Sequence, residues 1–238
     1  LGYSHTLSFG KNSGRFNYHL SQALTDEKYT SNDLGYFTNN NFINHNLHVG
    51  YRYTEPKGWY NRLFLNFNAG LSNLYTKIGE IDSKYQNSRF NANINAQTKK
   101  LIWFGAFANY NPVQNDFYEP RTMGKVFRRS GSIAFGGWIE SNSAKKYSVN
   151  AEVVERIFLN FYKLSGFDVF LAQNYRFNSK FSVGLQLGVQ PRPRGLGYTT
   201  TLDDGNTLFA IRKVSTIDNV LNLKYNFTNK MGLTFRAR

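Results

Sequence analysis

Apolar and polar side chains alternate every second residue along almost the whole chain, the period of a strand with two unlike faces, and helical periodicity is nearly absent. In residues 1–10, Leu1, Tyr3, Leu7 and Phe9 share one face and Gly2, Ser4, Thr6 and Ser8 the other, with His5 the one polar member of the apolar face. Residues 15–24 set Phe16, Tyr18 and Leu20 against Arg15, Asn17, His19 and Ser21. Residues 42–53 set Ile43, Leu47, Val49, Tyr51 and Tyr53 against Asn44, Asn46, His48 and Arg52, and His45 again falls on the apolar side. Residues 61–75 oppose Leu63, Leu65, Phe67, Ala69 and Leu71 to Arg62, Asn66, Asn68 and Ser72. Residues 87–98 oppose Phe90, Ala92, Ile94 and Ala96 to Arg89, Asn91, Asn93 and Asn95. Further strands are predicted at 101–111, 131–140, 147–157, 167–177, 181–190, 214–227 and 231–238, which makes twelve. The stretch 101–111 (LIWFGAFANYN) is apolar on both faces, so its orientation stays open.

The connections say what kind of sheet this is. Short ones at 11–14 (KNSG), 54–58 (TEPKG), 99–100 (KK), 141–146 (SNSAKK), 178–180 (NSK) and 228–230 (TNK) alternate with long ones at 25–41, 76–86, 112–130, 158–166 and 191–213. A membrane barrel has that rule, short turns on one side and long loops on the other, and its tilted strands need about 9–11 residues to cross. Every short connection holds a lysine, and most are flanked by aromatics such as Phe9, Phe16, Trp59, Tyr147, Phe181 and Phe227. Two of these hairpins, YRFNSKFSVGLQLGV (175–189) and YNFTNKMGLTFRAR (225–238), are near repeats of one another. Rings at that level match an aromatic girdle, with the lysines beyond it among headgroups. A soluble β-protein would leave the apolar faces as one large exposed patch. The expected fold is therefore all-β: an antiparallel transmembrane outer-membrane β-barrel of at least 12 strands, one domain over 1–238. Because the chain opens inside one strand and closes inside another, it is expected to be a piece of a longer protein.

Composition changes this picture little. A net charge of +14 first suggests nucleic acid, but the basic residues are scattered among 21 Phe, 16 Tyr and 3 Trp, and no nucleic-acid partner is expected. With no Cys there is neither a disulfide framework nor a thiolate metal site. The mean hydropathy of −0.49 suits a barrel, half of whose strand positions face a polar interior. By parity the interior receives Arg15, Arg52, Arg62, Arg89, Arg176, Lys224, Arg236 and Arg238 against Glu140, Glu152 and Asp168. That excess either draws anions into a pore or serves, with the many Asn, to fill and hydrogen-bond a closed interior. His19 and His48 point the same way; His5 and His45 point to lipid or a partner. Ser4, Ser8 and Ser21 lie near histidines without a third group to orient them, so no catalytic residue, metal or cofactor is assigned.

The long loops carry Asp26, Glu27, Asp33, Glu80, Asp82, Asp116, Glu119, Asp203 and Asp204, none at the spacing of a calcium loop, and these read as solvated charge. DDGN (203–206) reads as a hairpin tip that extends the last long connection as a ribbon. The stretch NDFYEPRTMGKVFRRSG, with Arg121, Arg128 and Arg129, is suited to folding inward, covering the interior or gripping another protein.

Four stretches, NDLGYFTNNNFINHNLHVGYRY (32–53), DFYEPR (116–121), GGWIES (136–141) and DDGNTLFAIRKVSTIDNVLNLKYNFTNKMGLTFRAR (203–238), resemble the C-terminal region of a Bacteroidota outer-membrane family known as domain of unknown function 5916. Its members often carry an N-terminal domain resembling carbohydrate-binding module family 9, and no residue of this chain supports glycan binding. The resemblance implies a Gram-negative outer-membrane barrel. The partners expected of one are outer-membrane lipid and lipopolysaccharide, together with other outer-membrane or periplasmic proteins. Three roles are expected in order: a non-enzymatic anchor or subunit of an assembly for secretion, assembly or uptake; a conduit for small anions; and the membrane anchor of a glycan-binding or hydrolytic module outside these residues.

Overall fold

The computed structural model describes residues 1–30, 40–122, 124–159 and 164–238. Twelve strands form one antiparallel sheet: β1 (Ser4–Lys11), β2 (Phe16–Thr25), β3 (Phe42–Tyr53), β4 (Tyr60–Asn73), β5 (Tyr85–Thr98), β6 (Trp103–Asn111), β9 (Ser132–Glu140), β10 (Tyr147–Phe158), β11 (Leu164–Arg176), β12 (Phe181–Thr201), β13 (Thr207–Asn226) and β14 (Gly232–Ala237). Each pairs with its neighbour along the chain, save that β6 meets β9 across a small ribbon of β7 (Gln114–Asp116) and β8 (Phe127–Arg129). No helix occurs among the described residues. β1 and β14 are the outer strands of the sheet, with no pairing between them among the described residues.

The register carries the two-faced pattern from strand to strand. Phe9, Leu20, Leu47, Ala69, Phe90, Tyr110, Ile133 and Ile157 stand directly opposite one another in one row across eight strands. A slip of one residue anywhere would turn a whole strand over, so the alternation itself fixes the pairing. It also settles β6: Phe104, Ala106, Ala108 and Tyr110 join the apolar row side, and Trp103, Gly105, Phe107 and Asn109 the polar side.

The apolar face is bare. Leu7, Leu20, Leu65, Phe67, Phe90, Ile94, Phe135, Val153, Leu185 and Phe235 are all exposed, whereas the buried hydrophobic residues among those described are only Leu24, Leu74, Ala96, Phe117, Ala134 and Val220. Asn17, Thr25, Asn41, Gln86, Ser88 and Ser132 are buried equally well. A water-soluble sheet hides its apolar side against a second layer; this one exposes it and covers polar groups instead.

The short connections all lie along one edge of the sheet. The other edge differs from expectation in two places, because strands run on into the supposed loops. β10 and β11 pair as far as Phe158 and Leu164, which leaves only 159–163 between them, no longer than the 141–146 turn opposite. β12 and β13 pair from Phe181 and Tyr225 out to Thr201 and Thr207, closed by a turn at 202–206 in which Gly205 takes a positive φ of 78°. The expected ribbon is thus present and longer than foreseen. β12 runs on through Pro191, beyond the expected end at 190, because it has no β11 neighbour after Val189, and proline is tolerated on such a free edge.

Candidate functional site

The polar face and the loop edge above it are where chemistry-bearing side chains gather. On β2 to β6 the alternating Asn and His positions meet their counterparts across each strand pair and bond sideways. His48 Nδ1 lies 2.8 Å from Asn68 Oδ1, and its Nε2 lies 3.2 Å from Asn17 Oδ1. Asn68 donates to Asn91 at 3.0 Å, and Asn91 donates to Asn109 at 2.8 Å. Asn93 donates to the same Asn91 oxygen at 2.7 Å while accepting from Asn66 and Asn95, each at 2.8 Å. Eight side chains on five strands so form one belt, in which Asn91 and Asn93 each serve as donor and acceptor at once.

Next to the belt, bulk replaces hydrogen bonds. Phe107 stands opposite Gly136 and Trp138 opposite Gly105. A Cβ on Gly105 would sit 2.6 Å from both Trp138 Nε1 and Asn95 Oδ1, and one on Gly136 would sit 2.8 Å from the Phe107 ring. The two glycines therefore leave room for two large rings to lie across the β6–β9 seam, which gives the GGW sequence a physical reason.

Beyond the seam the polar face is charged. Glu152, Asp168, Asp218, Arg236 and Arg238 line a groove of about 500 Å³ with Phe170, Gln186 and Gln190. Arg238 donates to Asp218 Oδ1 through Nη2 at 2.6 Å and Nε at 3.1 Å. Asp218 was not foreseen, although its parity with Lys224 on the same strand pointed to it.

By register Arg52, Arg62, Arg89, Arg176, Lys224 and Arg236 share the polar face, but they do not form one lining. Arg15, Arg52, Arg62, Arg176 and Lys224 sit at or near the short-turn edge. Arg15 pairs with Glu55 at 3.1 Å, and Arg176 donates to the Ser143 carbonyl at 3.3 Å. Arg89, opposite Gly70, lies toward the loop edge, and Arg236, opposite Asn222, lies in the charged groove. His19 and His48 face each other across β2 and β3. On the opposite face, His5 and His45 are joined through a side chain the sequence reading passed over: Gln22 donates to His5 Nε2 at 3.3 Å and accepts from His45 Nε2 at 3.1 Å.

The segment 112–131 crosses the loop edge. Its Asn115 amide donates to the Tyr85 carbonyl at 3.0 Å and its Tyr118 hydroxyl to the Asn40 carbonyl at 3.4 Å. At the far end it grips the β12–β13 ribbon: Phe127 stacks on Phe209 with centroids 4.2 Å apart, the Arg121 guanidinium sits 4.5 Å over the Tyr198 ring, and the Tyr198 N–H donates to Glu119 at 3.2 Å. Lys125 Nζ donates to the Gly205 carbonyl at the ribbon's tip. In sheet order β10 and β11 stand between these partners, so the segment is a strap over intervening strand ends.

Loop carboxylates hold turns. Burial works to raise the Asp116 carboxyl, but N–H donors from Glu119 and Tyr118 and the Arg129 guanidinium, 2.7 Å away, outweigh it and keep the group below its ordinary value. Asn206 acts likewise on Asp204 through its N–H and its side-chain amide. Asp33 lies outside the described residues. No group of three or more His, Asp or Glu side chains suited to a metal occurs among the described residues.

A single antiparallel sheet with a bare apolar face, a hydrogen-bonded polar face and a strapped loop edge defines an all-β class of two-faced meander. The chain belongs to the family described as Domain of unknown function (DUF5916), whose model matches residues 1–238. No curated protein and no solved structure matches it.

Proposed function

We propose that the sheet is the wall of a transmembrane β-barrel in a Gram-negative outer membrane, and that the protein serves there as an anchor or subunit of a larger assembly. The observation that carries the membrane reading is the inverted burial: many leucines and phenylalanines exposed, while Asn17, Asn41, Gln86 and Ser132 are covered. Lipid tails are the solvent that such a face fits, while the paired backbone and the polar face turn inward. Closure of the wall, by β14 against β1 or through further strands, belongs to the same proposal.

Two features favour a subunit over an open channel. The strap 112–131 runs across the loop edge from the β2–β3 side to the β12–β13 ribbon. The His5–Gln22–His45 chain places three polar side chains on the otherwise apolar face of β1 to β3, where a neighbouring protein would satisfy them better than lipid. The test is gentle detergent extraction of the native protein, followed by sizing and mass spectrometry. A defined set of companions in fixed ratio is expected; recovery of a lone barrel would overturn the subunit role. A conduit for small anions is the second reading, favoured by Arg52, Arg62, Arg176 and Lys224 near the short-turn edge of the polar face. It requires anion-selective conductance that falls when Arg52 is neutralised.

A further inference from the structure

The two edges of the sheet differ in charge far more than in size. The six turn segments of the short edge, within 11–15, 54–59, 99–102, 141–146, 177–180 and 227–231, hold nine basic residues and one acidic residue. The opposite connections, 26–41, 74–84, 112–131, 159–163 and 202–206, hold eight basic and nine acidic residues. On that loop edge the acidic residues offset the basic ones in number, and two basic side chains are in ion pairs among the described residues: Lys77–Asp82 at 2.9 Å and Arg129 with Asp116 and Glu119 at 2.7 and 3.6 Å. On the short edge Arg15–Glu55 is the one ion pair among the described residues. Lys11, Lys57, Lys99, Lys145, Lys180 and Lys230, at least one lysine from every turn, have no acidic partner there.

Directly inside these lysines aromatic rings, most of them exposed, touch in runs. Tyr51, Tyr53, Tyr60, Trp59 and Phe104 form one chain with successive centroids 5.0, 6.3, 5.3 and 5.9 Å apart. Tyr175, Phe177, Phe181, Tyr225 and Phe227 form another, at 4.7, 5.1, 6.3 and 4.9 Å. Rings of this kind mark headgroup depth, and unpaired ammonium groups just outside them stand at the depth of lipid phosphates.

We propose that the short-turn edge is a binding surface for anionic glycerophospholipid headgroups, one lysine-bearing turn after another engaging phosphate, while the loop edge has no such preference. The inference rests on the membrane reading above. Charge complementarity selects the occupant: a ring of unmatched ammonium groups at phosphate depth is satisfied by a leaflet of anionic lipid and repelled by a second basic edge. Lysine, a compact point charge on a flexible stem, suits phosphates that exchange laterally.

The test uses the whole chain with Trp103 and Trp138 replaced by Phe, so that Trp59 at the short edge alone reports. It is reconstituted into nanodiscs of phosphatidylcholine containing a minority of either brominated phosphatidylglycerol or brominated phosphatidylcholine. Stronger quenching by the anionic lipid is expected, with local enrichment of about fivefold from roughly 1 kcal/mol per lysine near a charged surface. That preference should collapse in the variant with the six named lysines changed to Gln. It should also collapse for the unaltered chain in about 1 M salt, where the screening length falls to about 3 Å. Equal quenching by the two lipids, or a preference that survives both the substitutions and the salt, overturns the lipid proposal and leaves the barrel standing. No quenching by either lipid means the edge is not in a bilayer, and overturns the membrane reading itself.

Discussion

The two halves of the polar face solve the same problem with different chemistry. On β2 to β6 amides and an imidazole are bonded into one belt, with Arg52, Arg62 and Arg89 toward its margins; on β10 to β14 carboxylates and guanidiniums surround an open groove. The belt shares its partners, since Asn91 accepts from Asn68 and Asn93 and donates to Asn109. The charged half is pairwise, and its one ion pair among the described residues, Asp218–Arg238, is largely exposed on the arginine side at 70%. Neutral belts rigidify without the desolvation cost of ions, whereas exposed ions leave a surface that can exchange partners.

Breaking the belt at its hub should have the largest effect. Asn91→Leu removes three hydrogen bonds and strands partners on three strands, so urea unfolding of the detergent-folded protein should lose about 3 kcal/mol. A double-mutant cycle between Asn68→Ala and Asn109→Ala, which do not touch but share Asn91, should show a coupling of about 1 kcal/mol; additivity would mean the belt is a set of separate bonds. In the strap, Phe127→Ala should cost about 1 kcal/mol of local stability, read as faster hydrogen exchange over 114–129 and 198–209 with the β2–β6 amides unchanged. Acid should loosen the same strap. The Asp116 carboxyl is held below its ordinary value, so its contribution is present at neutral pH and is lost as pH falls from the ordinary carboxylate range through the lowered one. Exchange in the strap should therefore rise in acid, and Asp116→Asn should remove that dependence. The smallest effect belongs to the charged half: Asp218→Asn should change unfolding by under about 1 kcal/mol.

Much of this architecture could be read from alternation alone, because a period of two states both the strand and its face. Each of the twelve expected strands is present, β12 and β13 running further toward the loop edge than the pattern said. What could not be read was lateral distance. Parity says that Arg52 and Arg236 share a face, but only register shows that one stands near the turns and the other in the groove. The belt escaped for the same reason: Asn68 and Asn109 become neighbours of Asn91 through two strand pairings, and no spacing along the chain encodes that. Gln22 shares parity with Leu20 and links His5 to His45, yet one polar residue in an apolar row looks like noise until its neighbours are in place. The stretch 191–201, expected as loop, continues β12 through Pro191, which is tolerated on an edge that the sequence does not announce.

The strap also sets an order in time. Apart from β6, which pairs with β9 past the β7–β8 ribbon, every strand of the large sheet pairs with the next along the chain, so the sheet can grow hairpin by hairpin. The strap's bonds are different: Tyr198 to Glu119 spans 79 residues and Lys125 to Gly205 spans 80. Those contacts cannot form until β9 to β13 are in place, because their closure entropy is repaid only by a ribbon already built. The segment that spans the loop edge is thus the last part of the described fold to arrive, and its docking reports that the strands beneath it are complete.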